Sequence, residues 1–175
     1  MEICFRKITS ETEFEDIKSL YLTTFPPAER REYSGLVQLL NNAECVVNLI
    51  FADHKIAGLI IVWDFQEFVF IEHFAIETEL RGRGIGEKSL ALITNNYHKP
   101  VILETEPPID EMSKRRVGFY QRNGFHLLKN QYFQPSYDGI KPEVELRLMS
   151  TKSDYSNSQI DECISVIRKK VYYVF

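Results

Sequence analysis

The run Arg81-Gly82-Arg83-Gly84-Ile85-Gly86 has the residue types of a phosphate-binding loop. Its alternate glycines let the main chain turn sharply and come close to a ligand. A helix-patterned stretch follows, so the free N–H groups and positive dipole end of that helix would point into the loop. Two arginines add positive charge. The run therefore predicts a cradle for a phosphate-bearing cofactor.

Two familiar phosphate-binding motifs fit this run poorly. A dinucleotide fingerprint requires GxGxxG and an acidic residue about 20 positions further on. Gly82, Gly84 and Gly86 alternate instead, although Glu104 does stand where the acidic residue would be. A single βαβ unit in mid-chain cannot build the doubly wound sheet that holds a dinucleotide, and the GK[ST] of a P-loop is missing. A nucleotide-dependent oxidoreductase is therefore the weakest functional alternative.

Strand-like and helix-like segments precede the loop. Residues 3–8 predict a strand, and Ser10 with Glu13 has the spacing of a capping box at the start of a helix. A second helix is predicted over residues 28–41. Three runs then have strand character with turn residues between them: residues 45–52, 55–63 and 68–76. They predict an antiparallel meander, and its third strand, apolar on both faces, is expected to be central.

The segments after the loop complete a mixed sheet. A helix and a strand over residues 101–106 follow the loop, and this crossover should be right-handed and place two strands parallel. Residues 110–123 predict another helix, and residues 125–128 and 144–149 predict closing strands joined by an aromatic loop. The predicted fold class is α/β (an α+β mixed sheet), mostly antiparallel with one parallel crossover, flanked by helices.

The chain is predicted to divide near residue 150. Residues 1–150 form the first domain, and residues 151–175 form a linker and a C-terminal helical extension. Ser158 and Asp161 predict the cap of that last helix. Residues 171–175 are too apolar to be exposed, which favours packing on the domain or at the interface of a homodimer.

Composition excludes several classes of protein. The chain has 175 residues, 44% hydrophobic and 26% charged, as expected for one soluble globular domain. Its net charge of −4 and the absence of a basic stripe argue against a nucleic-acid partner. No segment resembles a signal peptide or a membrane span. Three scattered cysteines indicate a reducing compartment, so the expected location is cytoplasmic, with no membrane partner.

Two motifs resemble those of the GNAT acetyltransferase superfamily. The pattern Arg-x-x-Gly-x-Gly at Arg81, Gly84 and Gly86 resembles the loop that holds the pyrophosphate of acetyl-CoA. The run Phe119-Tyr120-Gln121-Arg122-Asn123-Gly124-Phe125 is similar to the later FYxxxGF signature. The order of predicted elements also agrees over residues 3–149. The resemblance implies a GNAT-like acyl-CoA acyltransferase fold for residues 1–150 and does not extend past Ser150.

The resemblance implies direct acetyl transfer from acetyl-CoA, as a co-substrate, to an amine, with no metal and no covalent enzyme intermediate. Main-chain N–H groups from Arg81 to Gly86 would hold the pyrophosphate. The end of the central strand, at Phe74, Ala75 and Ile76, would pair with the pantetheine arm and supply an N–H group for the oxyanion. The chain therefore needs little side-chain chemistry to bind its co-substrate.

Two positions depart from the family pattern. Family members often carry Asn and Ala where this chain has Ser113 and Arg116. The cofactor contact at Ser113 is therefore changed, and Arg116 or its basic neighbours would approach the phosphates instead. The structural alternative is a solvated basic face on an exposed helix.

Tyr120 is the predicted proton donor to the departing sulfur. A phenol with a pKa of about 10 is protonated at neutral pH and can donate to a thiolate. The structural alternative is a half-buried tyrosine that shapes the pocket.

Glu72 is one candidate for the base that deprotonates the amine. It lies on an otherwise apolar strand, where an acid is paired, neutralised or functional. Strict alternation would place Glu72 on one face with Phe70 and Phe74, and His73 on the other.

Glu104 and Glu106 form the second candidate for the base. They share one face of the neighbouring strand, about 7 Å apart by strand rise. With Glu72 on the same side, the three carboxylates would form an acidic pocket that attracts a cationic substrate. The structural alternative is that Glu104 and Glu106 pair with Arg115 or Arg116.

The sequence therefore predicts an acetyl-CoA-dependent N-acetyltransferase. The expected acceptor is a primary amine of a small cationic molecule or peptide, and residues 25–33 and 132–137 are expected to shape its side of the site. The alternative is a non-catalytic acyl-CoA-binding regulatory protein that keeps the cradle without turnover.

Overall fold

The computed structural model describes residues 1–173. Within them the chain forms eight strands: β1 Ile3–Lys7, β2 Cys45–Ala52, β3 Lys55–Asp64, β4 Val69–Ile76, β5 Val101–Thr105, β6 His126–Leu127, β7 Tyr132–Gln134 and β8 Val144–Ser150. The same residues form five α-helices: α1 Glu11–Thr24, α2 Tyr33–Gln38, α3 Ile85–Asn96, α4 Glu111–Arg122 and α5 Asn157–Lys170. Among the residues described, no helix is both long enough and apolar enough to cross a bilayer.

The strands form one mixed sheet in the order β1-β2-β3-β4-β5-β8-β6, and β7 pairs with β8. The pairing of β4 with β5 is parallel, and the other pairs are antiparallel. The helix α3 makes the crossover between β4 and β5. The predicted meander, the mixed sheet and its parallel crossover are therefore confirmed.

The parallel pair β4–β5 is short and opens into a gap. Its register runs from Val69 opposite Val101 to Ile71 opposite Leu103. Strand β4 continues to Ile76, while β5 continues along β8 to Thr105. Within residues 1–173, the edge of β4 that faces β5 is therefore unpaired beyond Ile71, and a gap opens in the middle of the sheet.

Helices cover both faces of the sheet. The first hydrophobic core contains buried residues of α1, α2 and α5, and the second contains those of α3 and α4. Ile160, Cys163 and Ile167 place α5 in the first core. The division at residue 150 stays a prediction, as does a homodimer. Of the apolar C-terminal segment, Val174 and Phe175 lie outside the described residues.

The predicted helix over residues 28–41 is wrong. A 3-10 turn at Pro27–Glu29, the short α2 and a second 3-10 turn at Leu39–Asn41 replace it. The break falls at Arg31, whose main-chain N–H donates to the Tyr21 hydroxyl at 2.9 Å and whose side chain is buried. A tertiary contact thus overrides helix periodicity here.

Two further predictions need correction. The aromatic loop between the closing strands contains β7, which adds to the edge of β8. The cap of α5 is Ser156 rather than Ser158, because Ser156 Oγ accepts from the Gln159 N–H at 3.2 Å and Gln159 Oε1 accepts from the Ser156 N–H at 3.0 Å. Both serines stand three residues before a polar side chain, so spacing alone does not choose between them.

A β-bulge in β4 changes which side chains share a face. His73 pairs with Ile61, but the next residue of β3, Val62, pairs with Ile71, so Glu72 is the extra residue. The bulge interrupts the alternation and places both Glu72 and His73 on the α1 side. The prediction that Glu72 shares a face with Phe74 and that His73 faces away is therefore wrong.

Candidate functional site

The glycine loop forms an open cradle at the start of α3. Gly82 and Gly84 have φ angles of 74° and 76°, a conformation that favours glycine, and Gly84 is the N-cap of the helix. Among the described residues, no acceptor is seen for the main-chain N–H groups of Gly82 through Gly86. A Cβ atom on Gly82 or Gly84 would meet nothing within 4 Å. Free donors facing open space fit the pyrophosphate of acetyl-CoA.

Side chains fix this loop against the sheet rather than fill it. Arg81 Nε donates to the carbonyl oxygen of Ile76 at 3.0 Å, which ties the loop to the end of β4. Arg83 is exposed. A Cβ on Gly86 would lie 3.2 Å from Phe119 Cζ, so this glycine lets α3 pack closely on α4. The inner surface of the cradle is therefore formed by main-chain atoms, and Arg83 lies exposed at its edge.

The end of β4 forms one wall of the gap. Phe74 and Ile76 are half-buried and Ala75 is buried, and this stretch lies beyond the last pair with β5. On β5, Thr105 is buried and its hydroxyl oxygen has no partner within residues 1–173. Sequence reasoning missed Thr105, because no motif marks it.

Ser113 and Arg116 of α4 have partners within the chain. The Ser113 N–H donates to Asp110 Oδ1 at 2.7 Å, and its hydroxyl accepts from the Asp110 N–H at 3.1 Å. Arg116 forms an ion pair with Glu106. This pair is the one that the structural alternative predicts for Glu106. A contact of Ser113 or Arg116 with the cofactor stays a prediction.

Tyr120 lies near the end of α4, between two aromatic rings. Its ring centroid is 5.3 Å from that of Phe119 and 6.0 Å from that of Phe125. Burial raises the pKa of Tyr120 to about 12. The phenol therefore keeps its proton at neutral pH, as a proton donor must.

Glu72 is held in a buried ion pair with Arg31. Arg31 Nε donates to Glu72 Oε1 at 2.8 Å, and the two side chains are 6% and 0% exposed. Trp63 Nε1 donates to Oε2 at 2.6 Å, and the Tyr137 hydroxyl donates to Oε1 at 2.8 Å. Both oxygens of the carboxylate are thus engaged. The Arg31 guanidinium also lies 4.7 Å from the Tyr137 ring centroid.

These partners determine the charge of Glu72. Burial alone would raise its pKa, but the Arg31 guanidinium, the nearby His73 ring and the hydrogen bond from Trp63 outweigh burial and hold the pKa well below its usual range. A carboxylate with so low a pKa stays ionised and accepts a proton poorly.

Glu104 has a different environment on the same side of the sheet. Because Ile71 pairs with Leu103, Glu72 and Glu104 are the next residues on adjacent parallel strands. The Tyr132 hydroxyl donates to Glu104 Oε1, and the Tyr172 hydroxyl lies 3.0 Å and 2.9 Å from its two oxygens. Glu104 is partly buried as a residue and lies on β5, the strand that separates from β4 at the gap.

The pKa of Glu104 is raised to about 8, mainly by burial of its carboxyl group, against the effect of the two tyrosine hydroxyls. The negative charges of Glu72 and Glu29 raise it further. Glu104 therefore titrates close to neutral pH, where a general base is most effective.

Sequence reasoning identified the segments around this site but not all of its residues. Residues 25–33 contribute Arg31 to this cluster, and residues 132–137 contribute Tyr132 and Tyr137; that these segments shape the acceptor side stays a prediction. Arg31 itself carries no local signal. Tyr172 was part of the apolar C-terminal segment, for which packing but no role in the site was predicted.

We expect Gly84→Val to weaken acetyl-CoA binding, raising Kd by about tenfold or more, because a branched side chain would be strained at positive φ and would fill the cradle. Calorimetric titration measures this effect. Gly139→Val is the matched control, since Gly139 also has a positive φ of 72° and open space around it but lies in another loop. Equal affinity for Gly84→Val and the wild type would place the cradle elsewhere.

Comparisons with known proteins agree with this geometry. The profile described as the Acetyltransferase (GNAT) family matches residues 14–125. A candidate GNAT-family acetyltransferase of known structure from Bacteroides thetaiotaomicron is 32% identical, with a TM-score of 0.91 over 98% of this chain and 99% of that chain. A GNAT-family acetyltransferase from Elizabethkingia anophelis with acetyl-CoA bound shares the fold, at 17% identity and a TM-score of 0.59 over 86% and 98% of the two chains.

A curated relative matches part of the chain. The candidate acetyltransferase YjbC of Bacillus subtilis is 29% identical over 104 residues, which are 58% of this chain and 52% of that protein. The chain thus matches about half the length of that relative.

Proposed function

Because the chain belongs to the GNAT acetyltransferase family, whose members bind acetyl-CoA, we propose that it acetylates a primary amine of a small cationic molecule or a peptide. The amine would attack the thioester directly in a ternary complex. The observation that carries this proposal is that the glycine loop, whose main-chain N–H groups at residues 82–86 have no acceptor within residues 1–173, is tied to the end of β4, where that strand separates from β5 and Glu104.

Acetyl-CoA, when bound, supplies the acetyl group as a thioester. The N–H groups of residues 82–86 would bind its pyrophosphate, assisted by the dipole of α3. The unpaired edge of β4 at Phe74, Ala75 and Ile76 would pair with the pantetheine arm. A main-chain N–H on this edge would also donate to the oxyanion.

We assign the base to Glu104. An amine with a pKa of about 10 must lose a proton before it attacks. Glu72 is held ionised by Arg31 and Glu106 is engaged in an ion pair with Arg116, whereas Glu104 has no cationic partner within residues 1–173. Glu104 would take the proton from the amine as the new carbon–nitrogen bond forms. Tyr120 would give its proton to sulfur as the carbon–sulfur bond breaks.

The charge of the site supports a cationic acceptor. Four carboxylates lie around the gap: Glu29, Glu72, Glu104 and Glu106. The cations that pair with them are Arg31 and Arg116. Glu29 has no ion pair within residues 1–173, so Glu29 and the ionised form of Glu104 favour a positively charged substrate.

The experiment that tests the proposal measures free thiol release from acetyl-CoA with a panel of polyamines, amino sugars and peptides, after calorimetric titration with acetyl-CoA and, in parallel, NAD(H). We expect saturable binding of acetyl-CoA alone and amine-dependent thiol release. Binding without release for any amine would favour the acyl-CoA-binding regulator. Binding of NAD(H) alone would refute an acetyltransferase.

We expect Tyr120→Phe to lower kcat by about 10- to 100-fold, because it removes the proton donor while keeping the ring. Steady-state kinetics measure the loss, and calorimetry should show unchanged acetyl-CoA affinity. Tyr97→Phe is the matched control, since Tyr97 packs against the same core but lies at the far end of α3. Full turnover in Tyr120→Phe would remove Tyr120 as an obligatory acid.

A further inference from the structure

The residues directly after α5 lie buried beside the carboxylates of the candidate site. The family profile ends at residue 125, whereas Val171 and Tyr172, directly after α5, are 0% and 4% exposed. A segment beyond the residues that the family profile matches is therefore buried next to Glu104, the candidate base.

This segment contacts Glu104 directly and is linked to Glu72 through Arg31. The Val171 carbonyl oxygen accepts from Arg31 Nη2 at 2.7 Å, and Arg31 in turn pairs with Glu72. The Tyr172 hydroxyl lies within hydrogen-bond distance of both oxygens of Glu104. The Tyr172 ring centroid is 4.8 Å from that of Tyr137. The adjacent residues Val171 and Tyr172 thus connect the Arg31–Glu72 pair with Glu104.

Helix α5 fixes the position of Tyr172. The buried face of α5, at Ile160, Cys163 and Ile167, belongs to the first core, and the Val171 N–H continues the helical hydrogen bonds to Ile167 at 2.9 Å. The tyrosine hydroxyl is therefore presented to Glu104 from a packed element rather than from a free terminus.

We propose that Tyr172 is a positioning residue for the Glu104 carboxylate, and that the C-terminal extension is thereby part of the acceptor site. This inference rests on the proposed role of Glu104 as the base. Tyr172 holds the carboxylate towards the gap and donates to it, while the proton of the amine goes to Glu104 itself.

The chemistry of this contact gives a measurable consequence. A hydroxyl that donates to a carboxylate favours the ionised form, so its removal makes Glu104 harder to ionise. Other groups also face Glu104 and stay unchanged by a substitution at Tyr172: Glu72 from β4, Glu29 from the turn after α1, Tyr132 from β7, and Tyr137 from the loop after β7. A base must be ionised to act, so the loss of the donor shifts activity to higher pH.

The test compares the pH dependence of kcat/KM in the wild type, Tyr172→Phe and Tyr173→Phe. In Tyr172→Phe we expect the rising limb of the pH profile of kcat/KM to move to higher pH by about one unit or more, with activity recovering at high pH. Tyr173 is the matched control because it is exposed and contacts Arg31 through its ring. An unmoved limb, or an equal loss at every pH, would overturn the inference.

A direct titration separates this inference from the proposed function. Carbon-13 NMR of the glutamate carboxyl groups, with Glu104 assigned by Glu104→Gln, follows Glu104 without any acceptor amine. A titration midpoint of Glu104 that is higher in folded Tyr172→Phe than in the wild type supports the inference, and an unchanged midpoint overturns it. Wild-type turnover in Glu104→Gln would instead refute Glu104 as the base, and Tyr172 would then have no positioning role in catalysis.

Discussion

Replacing Arg31 with methionine is expected to lower the free energy of unfolding at neutral pH by about 3–5 kcal/mol, because it leaves the Glu72 carboxylate buried without its cation. The methionine keeps the apolar stem but donates neither to Glu72 nor to the Val171 carbonyl. Chemical denaturation of the wild type and of Arg31→Met measures the difference.

The double variant Arg31→Met/Glu72→Gln is the control for this prediction. Glutamine keeps one oxygen to accept from Trp63, its amide nitrogen can donate to the Tyr137 hydroxyl instead of accepting from it, and it carries no charge. We expect the double variant to recover much of the lost stability, because the unpaired charge is gone. A double variant as unstable as the single one would show that packing of Arg31, rather than its charge, sets the stability.

The same ion pair predicts a pH dependence of the difference. In the wild type the pKa of Glu72 is lowered, so its contribution to stability is present above the usual carboxyl range and is lost as pH falls. In Arg31→Met, burial without the cation raises the pKa of Glu72, and protonation at low pH relieves the penalty. The difference in stability between the two proteins should therefore narrow as pH falls, first through the raised pKa of Glu72 in Arg31→Met and then, below about pH 4, through the loss of the wild-type contribution.

Gly58→Ala is expected to have the second-largest effect. A Cβ on Gly58 would lie 2.1 Å from the Ala75 carbonyl oxygen and 3.1 Å from Ile76 Cα, which are main-chain atoms of β4. Since β4 must move away, we expect a loss of about 3 kcal/mol in stability. The displaced edge is also the proposed binding wall for the pantetheine arm, so Kd for acetyl-CoA should rise by about tenfold or more.

Denaturation and calorimetry together check this result. Gly118→Ala in α4 is the matched control, because its Cβ would meet the terminal nitrogen of the flexible Arg122 side chain at 3.4 Å and alanine favours a helix. Unchanged stability and unchanged affinity in Gly58→Ala would mean that the close approach of β3 and β4 has no structural importance.

Local patterns predicted the fold and the glycine turn before α3 because those features depend on neighbours in sequence. Glycine spacing at Gly82 and Gly84 marks the turn, and hydrophobic periodicity marks the strands on both sides of α3. The bulge at Glu72 could not be predicted in this way. It depends on the register between β3 and β4, and a single extra residue reversed the predicted faces of His73 and Phe74.

The buried ion pair was also beyond local patterns. Arg31 lies 41 positions from Glu72 and 140 positions from Val171, so no window of sequence contains the interaction. The acidic residue on an apolar strand did indicate that Glu72 must be paired or functional. What it could not indicate was the partner, and the partner decides whether Glu72 or Glu104 can accept a proton.

The short seam between β4 and β5 divides the sheet into two half-sheets that share three residue pairs. The residues after α5 link the two half-sheets through hydrogen bonds. The Val171 carbonyl accepts from Arg31, which pairs with Glu72 of β4, and the Tyr172 hydroxyl bonds to Glu104 of β5. The hydrogen bonds that orient Glu104 and the Arg31–Glu72 pair therefore also limit how far β4 and β5 separate at the gap. The residues that hold the two half-sheets together therefore also determine the shape of the site that an acceptor would enter.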